Sequence, residues 1–478
     1  MKAALQNMTG TFRMLFNFQS DEAKGRVIAL TSTLLTTVYN VFITGIFYTG
    51  FLTMYGMSIT DTGILTFMPF LANVLSAFSP MILSRFPKRK TILLASRVFY
   101  FLLYVVAVTI MPQFVHDTGA RLTWFVVLVT VATAVYCLFS NGFTIWLYNF
   151  FPADNTQRLQ YMTITQIFSS VLSSLIVIGS SFLTDALSSS PYQNTLILGF
   201  RYFAFVLVLV EVFVLAKAKE YPYQDSAKIN LLQVFTLPFR YRKFMLCLVV
   251  MFGWNFIAYI NSGLWDYHLL NHLDFTYTRI NLANVLYTVS LLVLSPWWNR
   301  ILQRYSWVKT LGIAWLLYSI PDFIFFFMTK ENTYLFMPTR IFQNCMAVGI
   351  NLAYSNLLYM NLPEKNSTAH ITFYAIGCNI FAFLGQMTGT LISGITGDSP
   401  VYALGMQMYS VQITTIVRGL AIIAVGLPCV LYWRGFTSNA EIARVEQVVQ
   451  LRARMPKASV RQRLAHMISR LVTARKKR

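Results

Sequence analysis

This sequence predicts an all-helical membrane protein made of two six-helix bundles. Three observations carry that expectation: the composition, a set of spanning-length apolar runs, and an internal repeat. Of 478 residues, 56% are hydrophobic and only 12% charged, where a soluble domain carries about 25% charged residues. Twelve apolar runs are long enough to cross a bilayer, which takes about 20 residues wound as a helix that satisfies its own backbone. They fall near 27–52, 62–83, 91–111, 122–148, 161–184, 196–216, 244–265, 280–298, 308–328, 335–360, 371–393 and 411–433.

The repeat is visible at the end of the second run. Thr60 to Pro80 can be laid without gaps on Thr276 to Pro296, matching Thr60, Thr62, Ile64, Leu75, Ser79 and Pro80 at an offset of 216. Leu147-Tyr148, Pro152 and Asn155 recur as Leu358-Tyr359, Pro363 and Asn366, offset 211, and Tyr39-Asn40 resembles Trp254-Asn255, offset 215. The longest polar interruption, 217–243, leaves six runs on each side. The expected organisation is therefore an N-terminal segment 1–26, a bundle 27–216, a linker 217–243, a second bundle 244–433 and a basic tail 434–478. A parallel six-helix repeat puts a substrate site between the halves near the midplane.

The net charge of +21 raises the question of nucleic acid, and its distribution answers it. With the N-terminus inside, the inner segments hold 31 of the 38 Lys and Arg, and the outer loops hold only Arg121, Arg279 and Lys330. That asymmetry is the positive-inside pattern, so both termini are expected in the cytoplasm, in a multi-pass protein of the plasma membrane. The charge implies attraction to a bilayer with an anionic inner leaflet, and no nucleic-acid partner is expected. The first apolar run is too long for a cleaved signal and is read as a retained helix. Ser459 to Leu471 reads as a basic amphipathic helix on the inner leaflet, with docking to a cytoplasmic partner as the alternative. All five cysteines fall inside spans, so no disulfide framework or thiolate metal site is expected. His268 and His272 have metal-ligand spacing, yet they sit at a helix end where polar residues are ordinary, and no metal is expected.

Twelve spans, a six-plus-six repeat and a basic loop between spans two and three resemble the major facilitator superfamily of secondary transporters, over residues 27 to 433. In that loop Arg85, Lys88 and Arg89 match the family's motif, while Pro80 and Pro87 stand for its glycines and Ser84 for its aspartate. The resemblance implies a gating loop there, without the family's usual charge latch. It also implies that spans one, four, seven and ten line the central cavity.

Polar stripes within those spans fit that role. Thr33, Thr37, Asn40 and Thr44 share a face of the first span, and Asn255, Tyr259, Ser262 and Asp266 share one in the seventh beside Trp254. The fourth span adds Asn141 and Tyr148, and the tenth adds Asn344 and Asn351. Each could instead join neighbouring helices. Amide, hydroxyl and aromatic groups suit a neutral polar solute such as a sugar or glycoside. Export of amphipathic drugs is the competing transporter reading, and a non-transporting sensor or scaffold a further alternative. No nucleotide loop, His-Glu-x-x-His or nucleophile motif is present, so neither catalysis nor a cofactor is expected. A monomer that takes a small-molecule substrate is expected. Glu211 and Asp322 are the acids firmly inside spans. Asp322 and Arg340 flank the 329–334 turn at similar depth and are expected to pair, as a structural ion pair or a coupling site.

Overall fold

The computed structural model describes residues 20–437 apart from Ser84, Pro87, 153–154, 221–230, Asn361, 364–366 and Leu404, together with 15–16, 442–443 and 445–447. The tail helix expected from Ser459 lies outside the described residues, as do Ser84 and Pro87 of the basic loop. The first six membrane helices are α1 (Asp21–Met54), α2 (Ile59–Ser76), α3 (Lys90–Gln113), α4 (Thr118–Tyr148), α5 (Asn155–Ala186) and α6 (Tyr192–Ala216). The second six are α7 (Arg242–His272), α8 (Tyr277–Arg304), α9 (Trp307–Phe326), α10 (Phe336–Met360), α11 (Ser367–Ser393) and α12 (Ser410–Leu431). Eleven are long and apolar enough to cross a membrane; α10, with 25 residues and the polar Arg340, Gln343, Asn344 and Asn351, completes the twelve. Strands Val401–Ala403 and Met406–Met408 pair antiparallel between α11 and α12, with Gly405 at φ +74° just before the second.

Local chemistry sets the helix ends. Ser20 accepts from the Ala23 N–H and Ser58 from the Asp61 N–H, which satisfies orphan donors at the starts of α1 and α2. Thr276 does the same for α8 through the Arg279 N–H. Two breaks interrupt helices that the sequence reads as continuous. α1 breaks at Thr44, followed by Gly45 at φ +57°, and α7 breaks after Tyr259, with Gly263 at φ +74°. Only glycine adopts that left-handed backbone freely. The polar stripe expected along the seventh span is therefore cut, with Asn255 and Tyr259 before the break and Asp266 beyond it. Irregular backbone inside a bilayer is sustained where protein or a cavity surrounds it.

The two bundles meet mainly through α2 against α11 and α5 against α8. Call the face where α1 begins and α12 ends the terminal face. The buried core of the first bundle, around Tyr39, Phe51, Phe125 and Val208, continues across the boundary into Leu269, Phe275, Tyr277, Ile280 and Phe336, close to the opposite face. A second core, around Trp298, Trp315 and Leu357, consists of second-bundle residues only. Apolar side chains such as Leu175, Phe182, Phe213, Leu292 and Val293 point outward, as surfaces that meet lipid tails do.

Candidate functional site

Two adjoining cavities of about 390 and 380 Å³ lie between α1, α5 and α8 and share Thr37, Ser173, Val177 and Asn281 in their walls. One continues along Gln166, Ser170, Asn284 and Thr288, and the other along Asn40, Thr44 and the Gly45 break. Gly45 faces open space here: beyond its own stretch of backbone, no heavy atom lies within 4 Å of where a side chain at that position would begin. No charged side chain lines either cavity among the described residues.

The lining is biased toward hydrogen-bond acceptors. Thr37 donates its hydroxyl proton to the Thr33 carbonyl (2.8 Å), Thr44 to Asn40 (2.7 Å) and Ser174 to Ser170 (2.9 Å), each one turn back in its own helix. Such hydroxyls keep lone pairs to offer a ligand. Amides supply the donors, notably Asn40, whose side chain is exposed to the cavity.

Behind the α8 wall runs a chain of polar contacts. Arg340 donates to Asn284 Oδ1 (3.1 Å) and to Gln343 Oε1 (2.5 Å), and Gln343 Nε2 donates weakly to Asp322 Oδ1 (3.5 Å). The same Asp322 oxygen faces Arg418 at 3.4 Å, and Arg418 also donates to the Tyr318 hydroxyl. The direct Asp322–Arg340 pair expected from the sequence is thus corrected: the acid pairs with Arg418 on α12, and Arg340 reaches it through Gln343. Equal depth on α9 and α10 does not fix which way each helix face turns, and Arg340 turns toward α8. Asp322 is fully buried, and its Oδ2 has no hydrogen-bond partner among the described residues.

Glu211 sits in a different setting. Its carboxylate accepts from Arg97 Nε and NH2 (both 3.0 Å), Ser32 (2.5 Å), Thr36 (3.0 Å) and Tyr39 (2.9 Å), and is wholly buried between α1, α3 and α6. Ser32, Thr36 and Tyr39 follow i, i+4, i+7 on α1, the face next to the one that carries Thr33, Thr37 and Asn40.

The remaining expected site residues are dispersed. Asn255 donates to the Tyr354 hydroxyl (2.7 Å) and the Met251 carbonyl, Asn344 to the Ala283 carbonyl (2.8 Å), and Asn351 to the Tyr287 hydroxyl (2.6 Å). Trp254 stacks on Trp315, and Tyr259 meets Phe70 of the other bundle edge-on. Tyr148 is exposed at the end of α4, and Asn141 lies within α4. In the loop between α2 and α3, Arg85 and Lys88 are exposed. The N–H groups of Arg89 and Lys90 donate to Glu220 Oε1 (2.8 and 3.0 Å), so Glu220 caps the start of α3. His268 and His272, expected at a polar end, are buried in a π-helical turn; their Nδ1 atoms lie 2.9 Å apart, and His272 Nε2 meets Asp398 at 3.1 Å.

The serines of α5 and the amides of α8 escaped the sequence reading. Gln166, Ser170, Ser173 and Ser174 recur at i, i+4, i+7, i+8, and Asn281, Asn284 and Thr288 at i, i+3, i+7, so the same helical period that singled out α1 was available there.

The family model described as Major Facilitator Superfamily matches residues 257–469. Among curated protein sequences none matches the chain. Solved structures share its fold. The D-xylose-proton symporter superposes with a TM-score of 0.63 at 10% identity, covering 86% of this chain and 97% of that one. The nucleoside transporter NupG gives 0.59 at 12%, covering 86% and 98%. A bacterial homologue of the lysosomal transporter Spinster, in an inward-facing and unoccupied conformation, gives 0.58 at 11%, covering 88% and 98%.

Proposed function

We propose that this chain, which has the fold of the major facilitator superfamily and matches that family's model over residues 257–469, is a membrane transporter that moves a small neutral polar solute by alternating access. The observation that carries the substrate class is the α1–α5–α8 cavity. Its walls offer hydroxyl and amide groups and no charge among the described residues. A sugar or glycoside fits such walls, because each ligand hydroxyl can donate to a Thr or Ser oxygen and accept from an amide. Two of the solved structures of this fold are named for a pentose and a nucleoside, which is in keeping with that reading. An amphipathic drug would call for an aromatic and Met-rich lining, whereas among the described residues these walls carry a single aromatic side chain, Phe47, and no methionine.

Asn40 and Thr44 are the proposed substrate contacts of α1, with Ser173 and Asn284 opposite. Asn141, Tyr148, Trp254, Asn255, Tyr259, Asn344 and Asn351 are proposed to act as the bundles rock, since most now hold neighbouring helices. Asp322 is the proposed coupling group. Its loosely held carboxylate connects to the cavity wall through Gln343, Arg340 and Asn284, so substrate at Asn284 and a proton at Asp322 would bias the same chain. The terminal face is proposed to be cytoplasmic, on the strength of the Lys and Arg distribution. Arg85, Lys88 and Arg89 would then form the inner gating loop, and the protein would work as a monomer.

Uptake by proteoliposomes tests this reading. Labelled pentoses, hexoses, nucleosides and a cationic dye are offered with and without a pH gradient. Entry of a sugar or nucleoside supports it. Movement of the dye alone overturns the substrate class, and movement of nothing overturns the transporter.

A further inference from the structure

We propose that Asp185 and Asp398 are a repeat-related pair of clamps that hold the bundles shut at the face opposite the termini, each by capping a helix of the other bundle. Asp185, at the end of α5, accepts from the Tyr277 N–H (2.9 Å) and the Thr278 N–H (2.7 Å), the first two residues of α8. Asp398, just beyond α11, has its carboxylate facing the backbone N–H of Ile59, the first residue of α2, and the end of α11 packs on the start of α2, where a Cβ at Gly394 would fall 3.2 Å from Thr60 Oγ1. The two carboxylates are 213 residues apart and the two capped positions 218, close to the offsets of 211 to 217 at which the other matched positions of the halves recur.

The physics is the same at both. The first N–H groups of a helix have no partner within it, and the helix dipole adds positive potential there, so a carboxylate binds well. Here each carboxylate comes from the opposite bundle, so neither contact survives if the bundles part at this face. Adjacent contacts close the same seam: Asn281 donates to Ser181 (2.7 Å), Gln386 donates to Thr66 (3.1 Å), and Tyr277 stacks on Phe47. Close packing extends it, because a Cβ at Gly50 would fall 2.1 Å from the Tyr277 hydroxyl and one at Gly63 2.3 Å from Thr390.

The clamps differ in support. Asp398 is also held by His272 Nε2 on α7 at 3.1 Å, with the Tyr267 side chain facing it from the same helix, so its carboxylate is anchored within its own bundle. Asp185 places one oxygen on each of two adjacent N–H groups.

This inference rests on alternating access, and its test does not require the substrate. Thr44→Cys, in the cavity wall, is labelled in intact cells by a membrane-impermeant maleimide, with the unsubstituted chain as background. Asp185→Ala and Asp398→Ala should each speed labelling roughly five-fold, and the double variant roughly 25-fold, as expected for two independent cap contacts. Asp185→Asn and Asp398→Asn keep a neutral acceptor and should give smaller increases at an unchanged melting temperature, which covers the case of an alanine variant that fails to fold. Labelling of the double variant at the parent rate overturns the proposal, and so does a response confined to one of the two aspartates. Failure to transport any solute, with the labelling response intact, would count against the transport reading and leave the clamps standing.

Discussion

Among the described residues each bundle buries one pair of arginine and carboxylate, and the two are built to opposite standards. Arg97 and Glu211 meet through two guanidinium hydrogen bonds, and three α1 hydroxyls complete the carboxylate's shell. Asp322 and Arg418 meet once, at 3.4 Å, and leave Oδ2 and the Arg418 Nε without partners among the described residues. A buried charge pair repays its desolvation only when the geometry is good and the remaining lone pairs are used. The first pair meets that condition and reads as a fixed pin between α1, α3 and α6. The second does not: its carboxylate keeps an oxygen without a partner among the described residues, in keeping with the coupling role proposed for Asp322.

The repeat sharpens this contrast. Arg201 and Arg418 lie 217 residues apart on α6 and α12, as do Val105 and Asp322 on α3 and α9. The first bundle thus keeps the arginine with valine at the acid's position. Arg201 donates instead to the Thr109 hydroxyl (2.7 Å) and the Tyr104 carbonyl (3.0 Å), with its guanidinium over the Phe51 ring at 4.1 Å. One arginine position is held by neutral oxygens and a ring in one half and paired with a carboxylate in the other.

The comparison can be broken most directly at Glu211. Glu211→Ala strands Arg97 in the bundle and should cost about 3–5 kcal/mol, seen as a large fall in melting temperature in detergent. If that variant melts with the parent chain, the pin does not exist. Asp322→Asn leaves Arg418 with only the neutral Tyr318 hydroxyl and an amide in place of its counter-ion, and should cost about 3 kcal/mol, yet abolish gradient-driven accumulation while sparing solute exchange. Equal accumulation by this variant and the parent would assign coupling elsewhere. Asn284→Ala should weaken substrate binding about five- to ten-fold, the equivalent of one hydrogen bond of about 1 kcal/mol, as read by ligand-induced thermal stabilisation. Asn255→Ala should lose about 1 kcal/mol of stability and leave affinity in this conformation unchanged, because its amide bonds Tyr354 and Met251.

The smallest effect concerns pH at the face opposite the termini. Burial alone would raise the Asp398 carboxyl, but hydrogen bonds from His272 and Tyr267 and the Ile59 N–H outweigh it and hold it below the ordinary value of 3.8. A depressed carboxylate keeps its stabilising contact at neutral pH and loses it only as pH falls through the lowered value. His272, His268 behind it, Tyr267, Asp61 and Tyr409 are the titratable groups around it. Labelling at Thr44→Cys should therefore not accelerate between pH 8 and pH 5, and acceleration within that range would remove Asp398 as a charged clamp.

The spans and the repeat were legible because both are local properties of the chain. Hydropathy over about 20 residues reports burial in lipid whatever a helix's neighbours are, and a duplication leaves matched residues at a nearly constant offset. The α1 stripe was legible for a similar reason, since the 3.6-residue period alone puts Thr37, Asn40 and Thr44 together. The partner of Asp322 was not. Depth can be counted along the chain, but which face of α10 or α12 turns toward α9 depends on how the helices pack, and that turned Arg340 to Asn284 and brought Arg418 to the acid.

By itself, then, the sequence determined the class of protein, the number and order of its helices, its duplication and the side chains available to a polar site. The tertiary structure alone decided that the cavity opens against α5 and α8, that Gly45 and Gly263 break the lead helices of the two halves, and that Asp185 and Asp398 reach across to the opposite bundle. The cavity brings together Thr37 and Asn281, 244 positions apart, and the clamp at Asp185 reaches Tyr277, 92 positions away; in a lipid environment such contacts are chosen by packing and hydrogen bonding between helices, neither of which has a period along the chain.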